Sequence, residues 1–327
     1  MDKDSLEKKT PQKPFISNPH PHPFKLTIAS RKKNIEKAAV PAESPVAAPV
    51  ESPAEVPVES RVETQVENPF ESYINSGFHH LENKNYDEAL ECFQKIAEQE
   101  PDNPKNFMSL GYIYEAMDMF DSAKKCYEKA LTIKNDYIEA IIKIGNIYKI
   151  QGDYRRAVNE YKKAIDIHQE AVEPHFCLAD LYDKHDMYDE AAEEYETVIE
   201  LNPKHTKALH NLGRIYFQDG DYAKAMRNFQ TIIEIEPGNI EVWNDMGSVY
   251  EITKNVMQAI FTYRKALKVN PLDEETNFNL ANAYFSLFLS SPNIMNIQNL
   301  TERINIILTR NPNNEKVREL LDKLKGI

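Results

Sequence analysis

The chain has 327 residues, of which 41% are hydrophobic and 28% charged, and its formal net charge is −13 at pH 7. This acidic balance argues against binding nucleic acid by phosphate neutralisation, which needs a basic face. No apolar run approaches the roughly 20 residues of a membrane-spanning helix, and the first residues lack the apolar core of a secretory signal. Three cysteines fit a reducing compartment better than a disulfide scaffold. We therefore expect a soluble, cytoplasmic protein without stable membrane insertion.

The N-terminal arm, residues 1–69, differs in composition from the rest of the chain. It holds 11 of the 19 prolines and none of the 9 glycines, and its charges cancel. Residues 41–60 repeat a proline-centred tetrad with Ala, Val, Glu and Ser, so residues 39–69 are predicted to be a disordered, low-complexity spacer. Residues 1–38 carry a net charge of +5. Two interpretations of this basic segment stay open: a linear motif on a tether, or a solubilising tail.

Beyond the arm, four series of residues recur every 34 positions, which no random sequence would produce. Each 34-residue unit predicts two amphipathic helices separated by a polar turn. The series are a small residue (Gly77, Gly111, Gly145, Ala179, Gly213, Gly247, Ala281), an alanine (Ala89, Ala123, Ala157, Ala191, Ala225, Ala259), an aromatic ring (Phe93, Tyr127, Tyr161, Tyr195, Phe229, Tyr263) and a tyrosine (Tyr114, Tyr148, Tyr182, Tyr216, Tyr250, Tyr284).

These series predict how the helices pack. We expect the small residue of the first helix to face the alanine of the second, and the rings to fill the space between hairpins. A proline closes the second helix in most units, because it lacks an N–H and clashes with the preceding turn. Asn135 and Gln169 replace this proline, which predicts looser turns after the second and third units. A single hairpin cannot bury its apolar face, so neighbouring hairpins must stack.

The segment Trp243…Met246-Gly247…Tyr250…Ala259…Tyr263…Pro271 resembles the tetratricopeptide repeat (TPR) family, with methionine in place of leucine. The resemblance covers seven repeats over residues 70–313 and implies an all-α, right-handed α-solenoid. Repeat seven carries a seven-residue excess within residues 287–299, which we interpret as an insertion that self-association could use. Residues 314–327 predict a capping helix. The repeats begin near residues 70, 104, 138, 172, 206, 240 and 274.

The resemblance also implies that the first helices line a concave groove in which peptides of partner proteins lie. The fifth and ninth places of the repeats, together with their neighbours, supply the candidate groove residues: Ile74, Phe78, Met108, Tyr112, Ile142, Asn146, Phe176, Arg214, Asn244 and Asn282. Met108, Ile142 and Phe176 are our first choice, because neither packing series uses them, and we expect them to form an exposed apolar patch. The alternative is that these side chains only pack.

Three polar residues recur beside the candidate groove at a spacing of 34: Asn211, Asp245 and Asn279. They look like the asparagine ladder with which some TPR superhelices, such as that attached to O-linked N-acetylglucosamine transferase, hold a peptide backbone. An amide both donates and accepts hydrogen bonds, so it can satisfy an extended chain without reading its side chains. A carboxylate clamp for chaperone C-termini is not predicted, because Ile142 and Cys177 occupy its lysine and second asparagine places.

No catalytic, cofactor or metal motif appears in the sequence. There is no Walker loop, G-x-G-x-x-G, H-E-x-x-H or G-x-S-x-G. The pairs His79–His80 and His20–His22 lack the ligand spacing of zinc sites. Cys92 and Cys126 occupy equivalent places in adjacent repeats, too far apart to bridge, and Cys177 is expected to face the groove.

The sequence therefore predicts a non-catalytic protein-interaction scaffold or adaptor that binds peptide segments of other proteins in the concave TPR groove. The alternative is a regulatory or assembly subunit of an enzyme complex, in which the N-terminal arm competes for the groove.

Overall fold

The computed structural model describes residues 69–325, and within this range the chain forms fifteen α-helices and no β-strand. The predictions made for residues 1–38 and 39–69 lie outside the described residues, apart from Pro69. The helices are α1 (Pro69–Glu82), α2 (Tyr86–Gln99), α3 (Pro104–Ala116), α4 (Phe120–Ile133), α5 (Ile138–Ile150), α6 (Tyr154–Ile167), α7 (Val172–Asp183), α8 (Tyr188–Leu201), α9 (Thr206–Gln218), α10 (Tyr222–Ile235), α11 (Ile240–Ile252), α12 (Val256–Val269), α13 (Glu274–Ser290), α14 (Ile294–Arg310) and α15 (Glu315–Lys325).

Consecutive helices pair into seven hairpins, from α1–α2 to α13–α14, and each second helix packs against the first helix of the next hairpin. The buried side chains form clusters that span these junctions, so each hairpin completes its core with its neighbour. This is the arrangement of a TPR-like solenoid, in which a repeat contacts mainly the repeats before and after it. The all-α solenoid predicted from the 34-residue period is confirmed.

In repeats one, two, three, five and six, the glycine of the first helix lies against the aromatic ring of the second helix in the same hairpin. A Cβ added to Gly111 would stand 2.3 Å from Cε1 of Tyr127, and one added to Gly247 would stand 2.2 Å from Cε1 of Tyr263. Both tyrosine side chains are fully buried. The missing Cβ thus makes room for a ring within the hairpin, whereas we expected the rings between hairpins; the contact of the small residue with the alanine series stays a prediction.

The turn inside each of the first six hairpins has one residue with a positive φ, always at the fifteenth place of the repeat. Its amide donates to the carbonyl three residues earlier, as Lys254 does to Glu251 at 3.0 Å. This left-handed residue ends the first helix in the manner of a C-terminal cap. Only two of the six are glycine, although the conformation costs other residues about 1–2 kcal/mol. The six are Lys84, Asp118, Gly152, Asp186, Gly220 and Lys254.

The turns between repeats keep one backbone hydrogen bond whether or not a proline is present. After repeat two, where Asn135 replaces the proline, the amide of Tyr137 donates to the carbonyl of Lys134 at 3.2 Å, and the same bond follows repeat three. There the buried side chain of His175 adds a second bond, because its Nε2 donates to the carbonyl of Gln169 at 3.0 Å. Both turns thus keep the backbone bond of the proline-containing turns, and their greater looseness stays a prediction.

Repeat seven differs from the others in the length of its helices. Helices α13 and α14 have 17 residues each, against 13 for α11 and 14 for α12, which accounts for the seven-residue excess. The last helix, α15, packs against both of them and buries Val317 and Leu320. The end of the array thus has an amphipathic helix whose other side faces solvent, as solenoids require for solubility.

Candidate functional site

We call the first-helix face the surface formed by the first-helix side chains at the second, fifth, sixth, ninth and twelfth places of each repeat. Neighbouring first helices contact each other directly, as α5 does α7 and α11 does α13. Polar side chains at or next to this face join adjacent repeats. The pairs are Tyr112 with Glu139, Lys143 with Glu115, Lys149 with Asp180, His210 with Asp245, and Asn244 with Thr276.

The densest polar cluster on this face lies between repeats two and three. Nζ of Lys143 is 2.9 Å from Oε2 of Glu115 and 4.4 Å from the ring centroid of Tyr112. The hydroxyl of Tyr127 donates to the same Oε2 at 2.8 Å, and the hydroxyl of Tyr112 donates to Glu139. Burial, followed by the nearby carboxylates, raises the pKa of both tyrosines far above the usual value. Both phenols therefore stay protonated donors at neutral pH.

The three apolar residues predicted to form an exposed patch do not form one. Met108 is 3% exposed and Ile142 is 7% exposed, and both belong to core clusters at the junctions between repeats. Phe176 is partly buried, with its ring centroid 5.9 Å from that of Tyr195 and 4.7 Å from that of His205. The exposed apolar patch is therefore an incorrect expectation, because the fifth place of these repeats points into the junction with the next first helix.

Three other predicted residues also contact the protein itself. Ile74 and Phe78 pack against the core cluster of repeat one, and the ring of Phe78 lies edge-on to that of Phe93 at 5.4 Å. Oδ1 of Asn146 accepts a hydrogen bond from the hydroxyl of Tyr161 at 2.7 Å. All three remain partly exposed, so each combines a packing contact with access to solvent.

The three residues expected to form an asparagine ladder differ in how far they are already engaged. Nδ2 of Asn211 donates to the hydroxyl of Tyr195 at 2.8 Å, and Oδ2 of Asp245 lies 2.6 Å from Nε2 of His210. Asn279 is partly exposed and forms no hydrogen bond within the described residues. Of the three, only Asn279 has its whole amide available.

The remaining polar residues of the prediction separate into one buried and two accessible side chains. Asn244 is 8% exposed; its Nδ2 donates to Oγ1 of Thr276 at 2.8 Å, and its Oδ1 has no partner. Arg214 is exposed and Asn282 is partly exposed. Neither of these two forms a hydrogen bond or an ion pair in the part of the chain that the structure describes. Of the predicted polar residues in repeats five to seven, Arg214, Asn279 and Asn282 are thus accessible without a hydrogen bond or ion pair among residues 69–325.

Glu251, at the twelfth place of repeat six, was missed by sequence reasoning. Its Oε2 accepts a hydrogen bond from the hydroxyl of Tyr263 at 2.8 Å. Burial raises the pKa of this carboxyl, and the bond from Tyr263 offsets the effect in part. A signal was present in the sequence, because Glu251 and Glu115 stand four repeats apart in the same frame.

The thiols and histidines do not form a reactive or metal-binding centre among residues 69–325. Cys177 is 7% exposed, so it does not line an open groove, and burial raises its pKa to about 12. Burial also raises the pKa of Cys126 to about 11. All three cysteines are free, and no group of three or more His, Cys, Asp or Glu residues in the described range could hold a metal ion. His20 and His22 lie outside that range.

Four family models described as tetratricopeptide repeat or TPR repeat match residues 70–103, 104–137, 145–186, 184–244 and 240–271. The chain belongs to the tetratricopeptide repeat superfamily. Such repeats are protein–protein interaction modules, typically without catalytic activity. No protein of curated function matches the chain in sequence. No helix between residues 69 and 325 combines the length and apolar character that crossing a membrane requires.

Several solved structures are similar to this chain. The C-terminal part of a TPR repeat-containing protein from Cytophaga hutchinsonii is 19% identical, with a TM-score of 0.62 over 76% of this chain and 98% of that one. The pilF protein of Pseudomonas aeruginosa is 15% identical, with a TM-score of 0.54 over 68% and 97% of the two chains. YrrB, described as a TPR protein with an unusual peptide-binding site, is 22% identical, with a TM-score of 0.48 over 57% and 97%.

Proposed function

We propose that this protein is a non-catalytic scaffold or adaptor whose first-helix face binds extended peptide segments of partner proteins. The observation that carries the proposal is that three of the predicted groove residues, Arg214, Asn279 and Asn282, are accessible and form no hydrogen bond or ion pair within the described residues. Amides donate and accept, so Asn279 and Asn282 suit the alternating groups of a peptide backbone. Arg214 suits a carboxylate or a backbone carbonyl.

Apolar contact is available next to these polar groups. The ring of Phe278 is partly exposed at the fifth place of repeat seven, one residue before Asn279. Peptide recognition combines backbone hydrogen bonds for affinity with apolar contacts for side chains. All three cysteines are free thiols, and a reducing compartment such as the cytoplasm stays the proposed location.

The test starts from peptides selected from a random display library on the full chain. We expect the triple variant Arg214→Ala, Asn279→Ala, Asn282→Ala to lose at least about tenfold in affinity for them, since each lost hydrogen bond contributes about 0.5–1.5 kcal/mol. The matched control removes the same three residue types from exposed places on second helices. It is Asn159→Ala, Arg264→Ala, Asn305→Ala.

The two variants separate the proposal from a general loss of structure. Both should keep the helical circular dichroism of the parent, because all six side chains are accessible to solvent. An equal loss of affinity in both variants, or unchanged affinity in the first, would remove the first-helix face as the binding surface. Failure to recover any binding peptide would count against the function itself.

A second candidate function is a subunit that assembles through repeat seven. It is favoured by three large apolar side chains around the turn between α13 and α14: Leu289, Ile294 and Met295 are 53, 75 and 64% exposed. Exposed apolar side chains close together in the chain mark interfaces more often than single ones do. If the protein is such a subunit, it should co-purify with one partner at a fixed ratio. The variant Ile294→Ser, Met295→Ser should no longer bind that partner. Light scattering of the purified chain measures its molar mass, and the mass of an oligomer would show that the partner is a second copy of the chain.

A further inference from the structure

Repeats two and six contain the same partly buried acid–phenol pair. Oε2 of Glu115 accepts from the hydroxyl of Tyr127, and Oε2 of Glu251 accepts from the hydroxyl of Tyr263, each at 2.8 Å. Both acids stand at the twelfth place of their first helix, and the two tyrosines occupy equivalent places in their second helices. The two repeats therefore provide two copies of one carboxylate site, which can be compared within a single structure.

The two copies differ in their counter-charge. In repeat two, Nζ of Lys143, at the sixth place of the following repeat, lies 2.9 Å from Oε2 of Glu115. For the pair in repeat six, the equivalent place is the sixth place of repeat seven, which holds Asn279. Glu251 forms no ion pair within the described residues. Burial consistently raises the pKa of the Glu251 carboxyl, as expected for a partly desolvated acid without a cation. The second copy thus lacks the ammonium that completes the first.

The two copies also differ in the size of the side chain at the ninth place of the repeat. At the ninth place, repeat two has Tyr112, whose ring centroid lies 4.4 Å from Nζ of Lys143. Repeat six has Ser248 there, and its Oγ donates to the carbonyl of Asn244 on its own helix at 3.1 Å. A serine side chain is smaller than the tyrosine ring of repeat two, which favours entry of the aliphatic stem of a long side chain at this place.

We propose that Glu251 and Asn279 form a cation notch that binds a lysine or arginine side chain of a partner peptide on the first-helix face. The incoming cation takes the place that Lys143 holds in repeat two and donates to the carboxylate of Glu251. Oδ1 of Asn279 accepts a second of its protons. Asp245, on the same helix α11, adds negative potential, although His210 already lies 2.6 Å from it. The proposal rests on the proposed function, for which it names the chemistry of the ligand.

The first test needs no ligand. In the full chain, Asn279→Lys places an ammonium at the position equivalent to Lys143, and we expect it to raise the thermal midpoint at pH 7. The rise should disappear when Glu251→Gln is present and should shrink in high salt, because an ion pair is screened. Asn282→Lys, three residues further along the same helix, is the matched control. A midpoint unchanged by Asn279→Lys, or raised equally in the Glu251→Gln background, would overturn the notch.

The second test uses the peptides selected on the full chain, each synthesised with its basic residue or with uncharged norleucine in its place. A hydrogen-bonded charge is worth about 1.5–3 kcal/mol, so norleucine should weaken binding roughly 10- to 100-fold. Glu251→Gln should weaken binding of the basic peptide by a similar factor and leave the norleucine peptide unaffected. Selected peptides that bind the parent and Glu251→Gln equally well would overturn the notch while keeping the proposed function. An absence of binding peptides would overturn that function, and the thermal test would still decide whether the notch accepts a cation.

Discussion

Replacing Gly247 by alanine tests the packing of the hairpins directly. The new Cβ would lie 2.2 Å from Cε1 of Tyr263 and 2.6 Å from its Cζ, whereas carbon atoms prefer a separation of about 3.5–4.0 Å. The ring is fully buried and its hydroxyl is bonded to Glu251, so it cannot move aside without breaking contacts. Overpacking of this kind costs about 1–3 kcal/mol, and alanine regains about 1 kcal/mol of helix propensity. Because the contact is this close, we expect a cost near the upper end of that range, about 3 kcal/mol, and hence a net loss of about 2 kcal/mol.

Gly77→Ala is the matched control for this substitution. Its added Cβ would stand 2.9 Å from Cε2 of Phe93, which a smaller adjustment relieves, so overpacking of about 1 kcal/mol and the helix gain should nearly cancel. The assay is urea unfolding of the full chain followed by circular dichroism, together with amide exchange in repeat six, since arrays can unfold locally. A Gly247→Ala protein as stable as the parent, or a Gly77→Ala protein that loses more, would refute the close approach of helix and ring.

Three further substitutions or measurements follow from single contacts. Lys254→Gly should raise the free energy of unfolding by about 1 kcal/mol, and Gly220→Ala should lower it by about as much, because both positions have a positive φ. A Lys254→Gly protein less stable than the parent would contradict this. The thiol of Cys177, whose pKa burial raises to about 12, should react with iodoacetamide at pH 8 only after denaturant is added, which peptide mass spectrometry measures. His175→Leu should lower the free energy of unfolding in urea by about 2 kcal/mol. The reason is that Nδ1 of His175 lies 2.6 Å from Oε2 of Glu194, so the carboxylate would lose its partner. An unchanged urea midpoint would show that water replaces the histidine.

The 34-residue period was sufficient to predict the helical hairpins and their stacking, because each repeat has too little apolar surface to fold alone. The positive φ in the turn of each of the first six hairpins also recurs every 34 residues, but in the sequence only Gly152 and Gly220 indicated it. Lys84 and Lys254 adopt the same positive φ, and no propensity rule predicts a lysine there. The neighbouring backbone bonds impose the conformation, and they depend on the helices being in place.

The candidate site was predicted less well, because sequence fixes which helix face a residue shares but not how deep it lies. Met108 and Ile142 were placed on the correct helices, yet the next first helix covers them. Asn211 and Asp245 were recognised as polar, but their bonds to Tyr195 and His210 depend on which side chains meet across two helices. Such pairings need the register between repeats.

The pH dependence of Glu251→Gln is the prediction that depends most on this register. Burial raises the pKa of Glu251 in the folded state, so the folded chain binds this proton more tightly than the unfolded chain does. Stability from the neutral carboxyl is therefore present at low pH and is lost as the pH rises above the unfolded value of about 4.3. Glutamine is neutral at every pH, and its oxygen can still accept the hydroxyl of Tyr263.

The variant should consequently be more stable than the parent at pH 7, and the difference should vanish as the pH falls below about 4. Urea midpoints measured across this range give the difference directly. Glu115→Gln is the internal comparison, because the carboxylate of Glu115 is paired with Lys143 at 2.9 Å. Removing that charge leaves the lysine unpaired, so this variant should be less stable than the parent at pH 7. If both glutamine variants lose stability equally at pH 7, Glu251 has a counter-charge after all, and the contrast between repeats two and six is lost.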